Sequence, residues 1–222
     1  MTAEAQALRY AEELSTLVSR ERHARQQAEQ TALELRRSYA TTVRALAAAL
    51  DLRDDATGAH AARVTVLGMR LARTVAPLLA RDEQLEFAFL LHDIGKIGVS
   101  DAVLLKAGPL TANERSLIER HSELGEQIIL GIPHLGSVVR EVVRSHHERW
   151  DGRGYPDGLR ETEIPLAARI FAIADTYDAI TSDRSYRPAA PTSVALREIR
   201  NGAGRQFDPA LVSAFLEIAS DS

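Results

Sequence analysis

The sequence predicts an all-α protein in which a helical bundle follows one long N-terminal helix. The 222 residues are 45% hydrophobic but only 5% aromatic, and Ala, Leu, Val and Ile dominate the apolar part. This mixture favours helix over sheet. Residues 3 to about 52 contain neither Gly nor Pro. No later segment alternates apolar and polar residues with the period of two that a half-buried strand requires.

The N-terminal helix carries a loose heptad seam. Its apolar positions are Ala7, Ala11, Leu14, Val18, Ala28, Ala32, Leu35, Tyr39 and Leu46. Glu21, Arg25 and Thr42 fall on the same seam and weaken it. The helix is therefore either a solvated helix packed on its own domain or the stalk of a parallel dimer. We favour the stalk, because residues 20–30 have too little apolar surface to pack on a globular core.

From about residue 53, shorter apolar segments alternate with Gly and Pro. They predict helices at 57–76, 82–97, 138–147, 166–181, 192–201 and 209–219. Another helix begins at the capping box of Thr111 and Glu114, and we expect it to carry Leu117 and His121 inward. We accordingly divide the chain into a coiled-coil stalk, residues 1–45, and a helical domain, residues 46–222.

Charge and composition exclude several classes of function. The net charge of −4, from 27 basic and 31 acidic residues, gives no footprint for binding a nucleic-acid polymer. The absence of cysteine excludes thiol catalysis, disulfides and cysteine metal sites. The N-terminus has no apolar h-region, and no window approaches the roughly 20 apolar residues of a membrane span. We therefore expect a cytoplasmic protein.

Histidines are concentrated on the faces of the predicted helices that point toward the core. Five of the seven lie there or at an adjoining helix end, together with two aspartates. They are His60, His92, His121, His146 and His147, with Asp93 and Asp175. Buried polar groups without partners would cost roughly 1–3 kcal/mol each, whereas a shared metal cluster satisfies them together. Imidazole and carboxylate ligands suit iron, manganese, zinc or nickel.

The adjacent pairs His92-Asp93 and His146-His147 constrain the geometry of such a cluster. Neighbours in a helix point about 100° apart, so both reach one metal centre only near a helix end. A carboxylate there can bridge two ions. Two ions ~3.5–4 Å apart can hold a hydroxide between them and clamp a phosphodiester for in-line attack.

Six ordered blocks carry a specific resemblance. They are "TGAHAARV" (57–64), "LLHDIGKIG" (90–98), "RHSELG" (120–125), "SHHERWDGRGYPDGL" (145–159), "ADTYDAITSDRSYR" (174–187) and "GAGRQFDP" (202–209). Over about residues 45–220 the chain resembles the HD-GYP domain, an all-helical branch of the HD hydrolases. The resemblance implies hydrolysis of cyclic di-GMP to linear pGpG, and often on to GMP, by a metal-bridging hydroxide.

The resemblance also implies roles for individual residues. The metal ligands would be His60, His92, Asp93, His121, His146, His147 and Asp175. Asp93 would bridge the ions, and Lys96 would contact the scissile phosphate. We expect two divalent ions per chain, iron or manganese. Family members with a third metal carry Glu where this chain has Ala56, so two ions are expected rather than three, and processing to GMP is in doubt.

Substrate contacts are implied for two further segments. Arg184 and Arg187 match positions that contact the dinucleotide's phosphates or bases. The loop Gly154-Tyr155-Pro156 lies near the mouth of the site in the family and is implicated in contacts with GGDEF domains. Two alternatives stay open: a catalytically silent module that binds cyclic di-GMP or GGDEF proteins, and a phosphodiesterase for another cyclic dinucleotide.

Overall fold

The computed structural model describes residues 2–54, 59–183 and 188–220. These residues form α-helices joined by turns and three short 3-10 helices, without a regular strand in the described ranges. The helices are α1 Ala3–Asp54, α2 His60–Val75, α3 Glu83–Leu90, α4 Asp101–Leu104, α5 Ala112–Glu119, α6 His121–Leu130, α7 Ser137–Ser145, α8 Leu166–Thr181, α9 Thr192–Gly202 and α10 Pro209–Ser220. The predicted all-α class is confirmed.

The chain divides into two compact units, residues 1–42 and residues 43–222. The first unit is part of α1, a single helix of 52 residues, as the absence of Gly and Pro predicted. Leu14 and Leu35, two residues of the predicted seam, are 63% and 67% exposed. Across the ranges that the structure describes, none of the helices combines the length and apolar character that crossing a bilayer requires.

The core of the second unit surrounds α8. This helix packs against α2, α7 and α9, and α3 packs against α2 and α7. Ile170, Phe171 and Ile173 in the middle of α8 are fully buried. Burying side chains of this size stabilises the fold by about 1.5–3 kcal/mol each. The consequence is a rigid group of helices whose ends are held in fixed relation to one another.

The helix predicted over 82–97 is wrong in its second half. Helix α3 ends at Leu90, a turn follows, and residues Ile94–Gly98 form a 3-10 helix. The cause is a close approach to α6. A Cβ on Gly95 would overlap the carbonyl oxygen of His121 and lie 2.5 Å from the amide nitrogen of Gly125. His92 and Asp93 therefore lie in the turn between two helices.

The helix that begins at the capping box is interrupted, although the box itself is confirmed. Thr111 caps the amide of Glu114, and the Glu114 carboxylate accepts from the Thr111 amide. The helix breaks at Arg120, where the carbonyl of Ile118 accepts from the Arg120 amide and lies 2.6 Å from Nδ1 of His121. The expectation that Leu117 faces inward is wrong, since it is 47% exposed.

We predict that Gly95→Ala destabilises the protein by about 1–3 kcal/mol or more, because the added methyl would have to displace α6. Thermal unfolding followed by circular dichroism measures this as a lower Tm. The matched control is Gly136→Ala, whose Cβ would meet its nearest neighbour at 3.7 Å. That variant should stay within about 0.5 kcal/mol of the parent. Equal Tm values for Gly95→Ala and the parent would contradict the close packing.

Candidate metal centre

The seven predicted ligands converge from four helices and one turn. Six lie at helix ends, and only Asp175 lies within a helix, α8. His60 begins α2 and His121 begins α6. His92 and Asp93 follow α3, and His146 and His147 follow the last residue of α7. Adjacent ligands can therefore face one centre without the 100° separation that a continuous helix would impose.

Asp93 lies at the middle of this group. One ligand atom each from Asp93, His121, His146 and His147 lies within 4.8 Å of all the others. Oδ1 of Asp93 is 3.2 Å from Nε2 of His121 and 3.7 Å from Nε2 of His146. Its other oxygen, Oδ2, is 3.0 Å from Nε2 of His92. The two carboxylate oxygens thus face different histidines, the arrangement that a bridging ligand needs.

His60 and Asp175 form the other side of the group. Nε2 of His60 is 3.2 Å from Oδ1 of Asp175. The ring centroids of His60 and His92 are 5.6 Å apart, and those of His92 and His146 are 5.3 Å apart. The donors therefore form a continuous row with His92 and Asp93 between its two ends.

Backbone carbonyls fix the orientation of three of these imidazoles. Nδ1 of His92 is 3.0 Å from the Phe89 oxygen, and Nδ1 of His146 is 3.0 Å from the Val143 oxygen. His121 makes the corresponding contact with Ile118. A carbonyl oxygen only accepts, so each Nδ1 carries the hydrogen and each Nε2 presents a lone pair. This is the state in which histidine binds a metal.

Two features of the buried cluster fit a bound cation. Nε2 of His121 and Nε2 of His146 are 3.1 Å apart, and each Nδ1 already donates to a carbonyl, so the two Nε2 lone pairs face each other. In addition, Asp93 Oδ1 is buried and, among the described residues, has no hydrogen-bond donor. A divalent ion would accept all three lone pairs. The donor set therefore fits a metal.

The charge states of Asp93, His146 and His147 suit metal binding. Burial raises the pKa of the Asp93 carboxyl, but His92, Lys96 and the neighbouring imidazoles of His121 and His146 outweigh burial and hold the pKa well below its ordinary value. Burial lowers the pKa of His146 to about 4 and that of His147 well below its ordinary value. The carboxylate is therefore anionic and both imidazoles are neutral near pH 7, as metal ligation requires.

Asp178, which is not among the predicted site residues, orients His60. Its Oδ2 is 2.7 Å from Nδ1 of His60, while Oδ1 accepts from Arg63 at 2.6 Å. Burial alone would lower the pKa of His60, but Asp175 and Asp178 raise it to about 10. Asp178 lies three residues after Asp175 on α8, and this spacing on one helix face was the available signal.

The Gly154-Tyr155-Pro156 loop packs directly on the cluster. The Tyr155 ring lies 4.7 Å from the His147 ring, and a Cβ on Gly154 would come within 2.5 Å of the His147 carbonyl. Glu148, the residue after His147, is buried. It accepts from the amides of residues 157, 158 and 159 at 2.8, 3.0 and 3.1 Å. The loop is thereby tied to the residue after His147.

Lys96 lies beside the cluster, because its Nζ is 2.7 Å from Oδ2 of Asp93. Its contact with a phosphate stays a prediction. Ala56, Arg184 and Arg187 lie outside the described residues.

The comparisons with known proteins agree with this fold. The HD domain family model matches residues 44–211. A cyclic di-GMP phosphodiesterase of Thermotoga maritima is 40% identical over 77% of this chain and 47% of its own length. A 3'3'-cGAMP-specific phosphodiesterase of Vibrio cholerae is 37% identical over 83% of this chain and 36% of its own length. The chain belongs to the HD domain family.

A solved structure shows the same fold. An HDG"Y"P protein from Bdellovibrio bacteriovorus superimposes with a TM-score of 0.59 over 72% of this chain and 51% of its own, at 20% identity. The chain thus spans about half the length of the proteins it matches.

We predict that Asp178→Asn weakens metal binding roughly 10- to 100-fold, because His60 loses the carboxylate that orients its ring. Isothermal titration of the metal-free protein with Mn²⁺ measures the affinity. Asp82→Asn is the matched control, since Asp82 caps α3 and asparagine caps equally well. Equal affinities for Asp178→Asn and the parent would show that His60 needs no such partner.

Proposed function

We propose that this chain is a metal-dependent phosphodiesterase that hydrolyses cyclic di-GMP to linear pGpG. The observation that carries the proposal is the buried Asp93 carboxylate, whose two oxygens face different histidines of one cluster. Two metal ions held in this way act on phosphodiesters in many enzymes. The relative from Thermotoga maritima, named a cyclic di-GMP phosphodiesterase, supports the choice of substrate.

The proposed centre holds two divalent ions, iron or manganese. His121, His146 and His147 would serve one ion, His60, His92 and Asp175 the other, and Asp93 would bridge them. When bound, the ions would supply Lewis acidity to the phosphodiester and to water. A centre of two ions rather than three follows from Ala56, and on this ground we propose pGpG rather than GMP as the main product.

The chain's own residues would bind, orient and exclude water. Burial keeps His146 and His147 neutral, and the surrounding positive charge keeps Asp93 anionic. Lys96, beside Asp93, would donate to a phosphate oxygen as negative charge develops on it. Tyr155 covers the face of His147 and would keep water from that side of the cluster. Arg184 and Arg187 would pair with the phosphates of the dinucleotide.

A second candidate substrate is a hybrid cyclic dinucleotide. The relative from Vibrio cholerae that is 37% identical is named a 3'3'-cGAMP-specific phosphodiesterase. Both substrates contain the same phosphodiester, which is the part that the cluster would bind. Competition separates them. If 3'3'-cGAMP is preferred, it should inhibit hydrolysis of cyclic di-GMP at concentrations below that of cyclic di-GMP, and otherwise only at higher concentrations.

The silent binding module is the weaker alternative. A module that only docks on GGDEF domains through Gly154-Tyr155-Pro156 has no use for a buried cluster whose lone pairs need a cation. If this alternative holds, Asp93→Ala should leave capture of a GGDEF domain intact, and the parent should show no turnover.

We predict that the protein, purified without oxygen and reloaded with Fe²⁺ or Mn²⁺, converts cyclic di-GMP to pGpG. Chromatography of the products measures the reaction. Asp93→Ala should lose activity by at least ~10³-fold, since it removes the bridging ligand. The control is Asp82→Ala, which removes a carboxylate from the start of α3 and leaves the cluster intact.

Three other outcomes would change the proposal. Accumulation of GMP would contradict the inference from Ala56. Hydrolysis of 3'3'-cGAMP alone would replace the substrate. Absence of any product despite bound metal would favour the binding module.

We further propose that the long helix dimerises the protein through its seam. Residues 2–4 and 6–38 are exposed, and Leu14 and Leu35 on the seam are among the most exposed apolar side chains. A second copy in parallel register would bury these residues against themselves, as in a coiled coil.

We predict that Leu14→Glu combined with Leu35→Glu converts a dimer into a monomer, because four carboxylates would then face each other along the seam. Light scattering coupled to size-exclusion chromatography measures the mass. The matched control, Leu17→Glu with Leu33→Glu, changes exposed leucines off the seam and should leave the dimer intact. A parent that is already monomeric, or equal dissociation of both variants, would refute the stalk.

A further inference from the structure

The last turn of α1 contacts two segments that adjoin the metal centre, and both contacts lie within the unit of residues 43–222. Asp51 accepts from the amide of Ala61 at 2.9 Å, directly after His60. Arg53, two residues later, reaches the 3-10 helix Ile94–Gly98 that follows Asp93. One helical turn is thus bonded to both segments that lead into the cluster.

Arg53 binds the main chain of the 3-10 helix rather than a side chain alone. Nη1 donates to the carbonyl oxygen of Lys96 at 2.8 Å, and Nη2 donates to the carbonyl oxygen of Val99. Nε donates to Oδ1 of Asp101 at 2.9 Å. The guanidinium therefore connects the carbonyls of Lys96 and Val99, at the end of the 3-10 helix, with the side chain of Asp101. A planar group with donors on three nitrogens suits this arrangement, which an ammonium cannot reproduce.

The opposite side of the same segment is fixed by α6. Gly95 lies so close to His121 and Gly125 that no side chain fits between them. The segment is also closed internally, because the amide of Lys96 donates to the carbonyl of Asp93 at 2.9 Å. Residues 93–99 are thus held between α6 on one side and Arg53 on the other. Loss of the Arg53 side chain would remove the contacts with the Lys96 and Val99 carbonyls and leave the packing of Gly95 on α6 in place.

The ion pair with Asp101 does not account for these contacts. Asp101 is 69% exposed, and an ion pair with so exposed a partner contributes little to stability. The side chain of Arg53 is only 29% exposed, and two of its nitrogens donate to carbonyls, although Nη2 also donates to Asp101. The arrangement is that of a positioning residue.

We infer that Arg53 positions Lys96 for the reaction by holding the 3-10 helix against α6. The inference rests on the proposed function in so far as Lys96 is used in catalysis. A displacement of the end of α1 would reach Lys96 through this guanidinium. The end of α1 is therefore a control point for the activity.

The test compares Arg53→Ala with Arg44→Ala. Arg44 also lies on α1 and pairs with Glu86 on α3 at 2.6 Å, away from the cluster. Hydrogen–deuterium exchange of the metal-loaded protein should be about 10-fold faster or more over residues 94–100 in Arg53→Ala. Exchange there should be unchanged in Arg44→Ala and in Asp101→Asn, which keeps both carbonyl contacts.

Turnover supplies a second readout. In Arg53→Ala, kcat for cyclic di-GMP should fall roughly 10- to 100-fold with little change in KM and unchanged metal content, because a displaced Lys96 acts mainly on the transition state. Arg53→Lys keeps one donor group and should lie between the parent and Arg53→Ala in both readouts. If Arg53→Ala does not fold, Arg53→Lys takes its place in both measurements.

Two results would overturn the inference. One is exchange over residues 94–100 in Arg53→Ala that equals the parent's. The other is equal acceleration in Arg44→Ala, which would mean that α1 has loosened as a whole. Exchange needs no turnover, so a parent without phosphodiesterase activity would refute the proposed function and leave the exchange comparison decisive for Arg53.

Discussion

The buried carboxylate of Asp93 is the group on which the rest of the centre depends. Removing an anion from water is costly unless positive charge or donors replace the solvent. Here the histidines around it present lone pairs rather than protons, because backbone carbonyls occupy their Nδ1 hydrogens. Lys96 pairs with one oxygen of the carboxylate, and a metal cation would satisfy the other oxygen together with the imidazoles. Three features hold these donors together. They are the convergence of helix ends, the close approach of α6 to Gly95, and the contacts of buried Glu148 with the loop after it.

Local pattern was sufficient to predict most of the helices and a cluster of histidine and aspartate side chains. The spacing of apolar residues indicated the elements, and the placement of five histidines on core-facing positions indicated a cluster, because polar groups rarely share such positions without a common partner. The capping box at Thr111 was predicted correctly because both partners lie within one turn. These features depend on residues close together in the chain.

Features that depend on distant contacts could not be predicted. Helix α3 ends at Leu90 because α6 approaches Gly95, and nothing near residue 90 records that approach. His60 and Asp178 are separated by 118 residues. Glu148 is buried because it binds three amides of a loop whose path only the folded chain defines.

Orientation by the main chain has a consequence for how the centre tolerates sequence change. His92, His121 and His146 are aligned by carbonyl oxygens, which every amino acid supplies, so drift in the neighbouring side chains leaves their alignment intact. His60 alone depends on a carboxylate from another helix. Inherited variation in metal preference should therefore accumulate around His60, and an engineer who wishes to exchange one metal for another would begin at that end.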